Sequence, residues 1–208
     1  MFGFSLAQII VRVIVLLLGI PIHEWAHAWS AYQLGDDTAS LQGRLTLNPL
    51  AHLDPVGSLL ILVSGFGWGK PVPVNPYHMR INPRIGMALS SAAGPAANFV
   101  LAMLLAIPLR LGWVTWFSRT GQLLEVAIQI NIGLMLFNLL PAFPLDGEKV
   151  LVGVLPPRWG DRLLQLRPFG SLILVALLFV LPQLIGIDLV GMIIAPIYGL
   201  LMNLLLFV

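Results

Sequence analysis

Apolar residues run almost unbroken over Leu6 to Ile22, Ile85 to Leu109, Leu123 to Leu145, Ser171 to Ile185 and Leu189 to Val208. Continued to about Tyr32, the first run makes a helix long enough to cross a bilayer, which takes roughly 20 residues at about 1.5 Å each. The remaining runs read as further spans, which makes about five. Helix punctuation agrees, since Asn82 and Pro83 supply an N-cap followed by Pro at N1, and Gly35 stands where the first helix should stop. The first run contains Arg12, has no charged segment ahead of it and no small-residue cleavage site behind it. It is therefore expected to stay in the protein rather than leave as a signal peptide.

A shorter apolar stretch, Val56 to Phe66, is capped by Asp54 and Pro55 but is only about 11 residues long, and if it crossed, the basic charges would divide more evenly between the two sides. It is expected to be re-entrant or interfacial. The segments from Gly35 to Arg84 and from Gly147 to Pro168 then share one side with Arg44, Lys70, Arg80, Arg84, Lys149, Arg158, Arg162 and Arg167, against Arg110 and Arg119 opposite. The positive-inside rule makes the basic side cytoplasmic. On that side, Leu41 to Leu47 alternates apolar and polar residues as a half-buried strand does, and Lys70 to Asn75 is Pro-rich enough to be an edge strand or a polyproline-like run. The expected fold is thus all-α and polytopic, with about five transmembrane helices, one short re-entrant or interfacial helix and a small cytoplasmic β element. Residues 1–208 form one membrane-embedded domain, with a core over about 6–150 and a C-terminal helical pair over about 169–208.

Composition excludes the soluble alternatives. Hydrophobic residues make up 58% and charged residues 10% of the chain, with a mean hydropathy of +0.93. A net charge of +2 with scattered basic residues gives no nucleic-acid signature. There is no Cys, so any bound metal must rely on His, Asp or Glu.

Such ligands stand near the end of the first span, in His23-Glu24-Trp25-Ala26-His27. Two His at i and i+4 lie one above the other on a helix, so both imidazoles can reach one ion. Glu24, about 100° round the helix, can instead hold a water bound to that ion. The metal lowers the pKa of such a water from about 15.7 towards roughly 7, and the carboxylate takes its proton and later gives it to the leaving amine. Zinc is the favoured metal. A catalytic zinc needs a third protein ligand, for which Asp146, His52 and His78 are the candidates on the same side. Asp146 follows the third span at a Pro-broken helix end beside Lys149, and the first and third spans run in the same direction.

Together, His23-Glu24-x-x-His27, Asn138-x-x-Pro141-x-x-Pro144-Leu145-Asp146-Gly147 and Ser91-Ala92-Ala93-Gly94-Pro95-Ala96-Ala97-Asn98 resemble the motifs of the site-2 protease family of intramembrane zinc metalloproteases, in its compact form without a PDZ or CBS domain. Asn48-Pro49-x-x-His52-x-Asp54-Pro55 and the stretch from Gly67 to Asn75 extend the resemblance over about residues 8–150. It implies one zinc per chain held by His23, His27 and Asp146, with Glu24 as general base. It also implies that Asn98 helps to bind substrate or to stabilise the oxyanion. From chemistry alone, a buried amide such as Asn98 can do that or make an interhelical hydrogen bond.

The expected function is hydrolysis of peptide bonds in or near transmembrane segments of membrane-protein substrates. Lipid is the other expected partner, nucleic acid is not one, and oligomeric state is open. The expected location is a bacterial-type plasma membrane, with the active site towards the cytoplasm. Extended substrate could pair with Leu41 to Leu47 or with Val72 and Val74. Two other classes compete with this function. A metal or proton transporter could use the same His, Glu and Asp cluster, but should show paired polar sites, whereas the last two spans offer only Gln183, Asp188 and Asn203. A non-cutting membrane adaptor would not need all four of His23, Glu24, His27 and Asp146.

Overall fold

The computed structural model describes residues 6–64 and 67–206. Phe66, which ends the short apolar stretch, and Phe207 and Val208, which end the last run, lie outside the described residues. Five helices are long and apolar enough to cross a membrane, and the described residues contain no β-strand, so the chain is an all-α polytopic membrane protein.

The first span, α1 (Ile9–Leu34), passes through a π segment, Val15–Gly19, before resuming as α-helix at Ile20. π segments recur beside functional sites, and this one immediately precedes His23. Gly35 ends α1 with φ 109°, a left-handed cap that costs glycine little. Three short helices follow: α2 (Thr38–Leu41), α3 (Pro49–His52) and α4 (Pro55–Ser64). The second span, α5 (Pro83–Arg110), starts where the Asn82 side chain accepts the N–H groups of Arg84 and Ile85. The third is α6 (Arg119–Asn138), and α7 (Asp146–Val154) and α8 (Pro157–Leu164) lead to α9 (Arg167–Ile185) and α10 (Leu189–Leu206).

Helix α5 is the hub, packed against α1, α6 and α7. Its Ala102, Ala106 and Leu109 close on Ile128, Ile132 and Leu136 of α6 and on Leu205 and Leu206 of α10. Small side chains on α5 allow this approach, which in hydrocarbon rests on packing rather than on expelling water.

Ile61 packs on Leu16 and Ile20 of α1, so α4 lies along that span. The Arg12 guanidinium donates to the carbonyls of Leu62 and Val63, which places the charged residue of the first apolar run at the negative end of the α4 dipole. Beyond the turn, Gly69 forms an antiparallel bridge with Leu53, and the Lys70 N–H donates to the His52 carbonyl at 2.8 Å. Leu53 and Gly69 are therefore level with one another.

The small β element is not formed. Over Leu41 to Leu47 the alternation is inverted, with Leu41 80% and Leu47 57% exposed while Arg44 is 4% exposed. The guanidinium turns inward because it donates to the carbonyls of Lys70 and Pro71, and Gly43, at φ 67°, turns the chain. Lys70 to Asn75 forms no strand, and only Lys70 continues the pairing with His52, since Pro71 and Pro73 have no N–H to give to a ladder.

Candidate metal centre

Helices α1 and α6 run in parallel, so the Pro-broken turn after α6 returns beside the lower half of α1. There His23 Nε2, His27 Nε2 and Asp146 Oδ2 lie 3.0 Å from one another. All three side chains are buried. The spacing is close to the roughly 3.3 Å edge of a tetrahedron with zinc bonds of about 2.0–2.1 Å.

Hydrogen bonds on the far side of each imidazole decide what the near side offers. His27 Nδ1 lies 2.7 Å from the Ser90 carbonyl, which can only accept, so Nδ1 carries the proton and Nε2 a lone pair. His23 Nδ1 lies 2.7 Å from Asn98 Oδ1 and is a donor for the same reason. Two lone pairs and a carboxylate thus converge in a buried space, a donor set that suits a divalent cation. Burial alone pushes the Asp146 carboxyl up. When protons occupy the two Nε2 positions, hydrogen bonds from His23 and His27 outweigh burial and hold it well below the usual carboxylate range. A dication would supply the same compensation. Asp146 turns its other oxygen to Lys149 Nζ at 3.4 Å.

The two helices match along their length. Ser90, Gly94 and Asn98 occupy one face of α5 at i, i+4 and i+8, and they meet His27 and His23 of the antiparallel α1 in that order. Gly94 supplies the clearance: a Cβ there would fall on the His27 ring and 2.8 Å from His23 Cε1. Gly147 does the same for the ligand-bearing turn, packing its bare Cα on the carbonyls of Leu139 and Leu140.

Glu24 stands beside the cluster without belonging to it. Its Oε2 accepts the Val72 N–H at 3.2 Å. The extended segment fixed by Arg44 and His52 therefore lies over this carboxylate.

Asn98 is fully buried, but both its N–H groups are engaged, with the Gly19 carbonyl at 3.1 Å and Asn131 Oδ1 at 2.8 Å. It stands behind His23 and orients that ring, and in this arrangement it has no N–H left for an oxyanion. His52 and His78 lie apart from the cluster. His52 Nε2 donates to the Thr46 carbonyl at 2.6 Å. His78 lies 3.5 Å from Asp36 in a second group with Asp37, where Asp36 is already occupied by Thr38 and by the Asn75 N–H. Sequence reading missed the Ser90 carbonyl and Asn131. The second left a signal, an amide inside the apolar run of the third span.

No family model and no solved structure matches the chain. Curated proteins do. It is 44% identical over 177 residues to "Putative zinc metalloprotease YwhC" of Bacillus subtilis, covering 82% of this chain and 80% of that protein. It is 33% identical over 168 residues to "Putative zinc metalloprotease Rip2" of Mycolicibacterium smegmatis, covering 78% of this chain and 64% of the relative. A Rip2 protein of Mycobacterium tuberculosis is 33% identical over 176 residues, 66% of its length.

Proposed function

The chain belongs to the zinc metalloprotease family of YwhC and Rip2, and we propose that it is a site-2-type intramembrane protease that cuts peptide bonds in or near transmembrane segments of its substrates. The convergence of His23 Nε2, His27 Nε2 and Asp146 Oδ2 inside a five-span bundle is the observation that carries this reading. In this reading residues 1–208 act as one domain, with its core over about 6–150 and the helical pair over about 169–208 closing it.

His23, His27 and Asp146 would hold one zinc ion per chain, which when bound lowers the pKa of a coordinated water and polarises a carbonyl. Glu24 takes the proton of the attacking water and returns it to the leaving amine. Ser90 and Asn98 act from behind, holding the two imidazoles with Nε2 inward. The segment through Val72 covers Glu24, so substrate has to meet or displace it to reach the base. The basic side chains at this end of the bundle, Arg44, Lys70, Arg80, Arg84 and Lys149 among them, support a cytoplasmic active site by the positive-inside rule. Exposed Leu104, Leu172 and Met192 fit a surface covered by lipid acyl chains. The relatives' names lend a transporter no support.

Purified Glu24→Gln should keep its zinc and lose roughly 10²- to 10⁴-fold in cleavage of a membrane-embedded reporter. Unchanged cleavage would remove Glu24 from the mechanism. Full zinc occupancy in Asp146→Ala would remove the third ligand, and wild-type protein that bound no zinc would end the reading.

A further inference from the structure

Asn131 lies inside the bundle along α6, with no exposed surface. Its Nδ2 donates to the Ala127 carbonyl one turn back at 2.8 Å, so its Oδ1 is left to accept. The donor to that oxygen is Asn98 Nδ2 at 2.8 Å, and the same amino group also donates to the Gly19 carbonyl at 3.1 Å. With both Asn98 N–H groups facing acceptors, Asn98 Oδ1 has to point the other way, onto His23 Nδ1 at 2.7 Å. A carbonyl oxygen requires Nδ1 to carry the proton, and Nε2 is then a lone pair directed at His27 and Asp146. Donor and acceptor roles thus alternate from a carbonyl of α6, through two amides, to a ring on α1.

We infer that Asn131 is a positioning residue for the metal centre: through Asn98 it fixes the tautomer and orientation of His23 that metal binding needs. This rests on the reading of His23, His27 and Asp146 as zinc ligands. A merely structural Asn131 would tie α5 to α6 and leave the His23 tautomer alone. The relay differs in its chemistry, because what His23 needs from position 131 is an acceptor in one place. Remove that acceptor and the Asn98 amide can turn over, presenting N–H to His23 Nδ1. The proton then moves to Nε2, and the ring no longer offers a lone pair to the ion. Outer partners of this kind typically change metal affinity by about 10- to 100-fold. Gly19 makes the approach possible, since a Cβ there would meet Leu134 Cδ1 at 2.6 Å.

The test measures zinc affinity by chelator competition on full-length protein in detergent, for wild type, Asn131→Leu and Asn131→Asp. Asn131→Leu keeps the size but removes the acceptor. Asn131→Asp, as the neutral acid that burial favours, can donate to the Ala127 carbonyl and accept from Asn98 as asparagine does. About 10- to 100-fold weaker zinc binding is expected for Asn131→Leu, with Asn131→Asp within a few-fold of wild type. Histidine-selective ¹⁵N spectra of the zinc-free proteins should show His23 Nδ1 protonated in wild type and in Asn131→Asp, and unprotonated in Asn131→Leu. Equal affinity for wild type and Asn131→Leu, or an equal loss in both variants, overturns the inference. If Asn131→Leu does not fold, the decision passes to Asn131→Asp and the zinc-free wild-type spectrum: a loss of zinc affinity of about tenfold or more in Asn131→Asp, or a wild-type His23 without a proton on Nδ1, overturns it. Wild type that binds no zinc defeats the zinc reading instead, so the two failures are distinguishable.

Discussion

Arg167 grips Glu148 through both arms, with Nε to Oε1 at 2.9 Å and Nη2 to Oε2 at 3.0 Å. Glu148 is 2% exposed and stands two residues beyond Asp146. The first residue of α9 is thereby fastened to the turn that carries the proposed third ligand. Arg167→Ala would leave a buried carboxylate unpaired, and should destabilise the protein by about 3 kcal/mol, the low end for breaking a buried pair because Arg167 keeps partial contact with water. Pairing it with Glu148→Gln should recover much of the loss. Thermal unfolding in detergent reads both.

Gly94→Ala places a carbon on the imidazoles of His23 and His27. The expected result is at least a tenfold loss of zinc affinity, with activity falling in parallel. Gly133→Ala is the matching control, since a Cβ at Gly133 meets nothing within 4 Å. Metal analysis of the two purified proteins compares them directly.

His52 gives a pH dependence of known sign. Burial pushes its pKa down, the Thr46 carbonyl raises it somewhat, nearby Arg44 lowers it and Glu24 raises it, for a net value below the ordinary one. As pH falls, the unfolded chain takes up this proton before the folded one does. The stabilisation is complete above about pH 6.5 and is lost as pH falls through the lower folded value. Melting temperatures between pH 7.5 and 5.5 should fall more steeply for wild type than for His52→Leu.

Arg44→Ala removes the donor to the carbonyls of Lys70 and Pro71. The segment above Glu24 should loosen, and hydrogen exchange at the Val72 N–H should accelerate about tenfold or more, while α5 and α6 keep wild-type protection. Equal exchange at Val72 would show that its bond to Glu24 alone holds the segment.

Much of this was legible in the sequence because hydrocarbon is an unforgiving solvent. Five apolar runs had to be helices, and His23, Glu24, His27 and Asp146 were costly enough there to stand out. The short helix was legible as an apolar stretch behind Asp54 and Pro55, but the Leu53 to Gly69 bridge that brings its two flanks level was not. The alternation around Arg44 misled because it assumes that charge points to water, whereas this guanidinium serves backbone carbonyls 26 and 27 residues away. Asn98 was found with two roles open, and which of its atoms face His23 was not legible, since that depends on Asn131 and Gly19, far off in the chain.

The stripe of Ser90, Gly94 and Asn98 on α5 makes the contact with α1 a keyed joint. A slip of one helical turn in either direction would bring a Ser or Asn side chain to the spot where only a hydrogen fits. It would also uncouple both imidazoles from their partners at once. Sliding of one of these helices along the other would therefore break both contacts together, so the joint resists that motion.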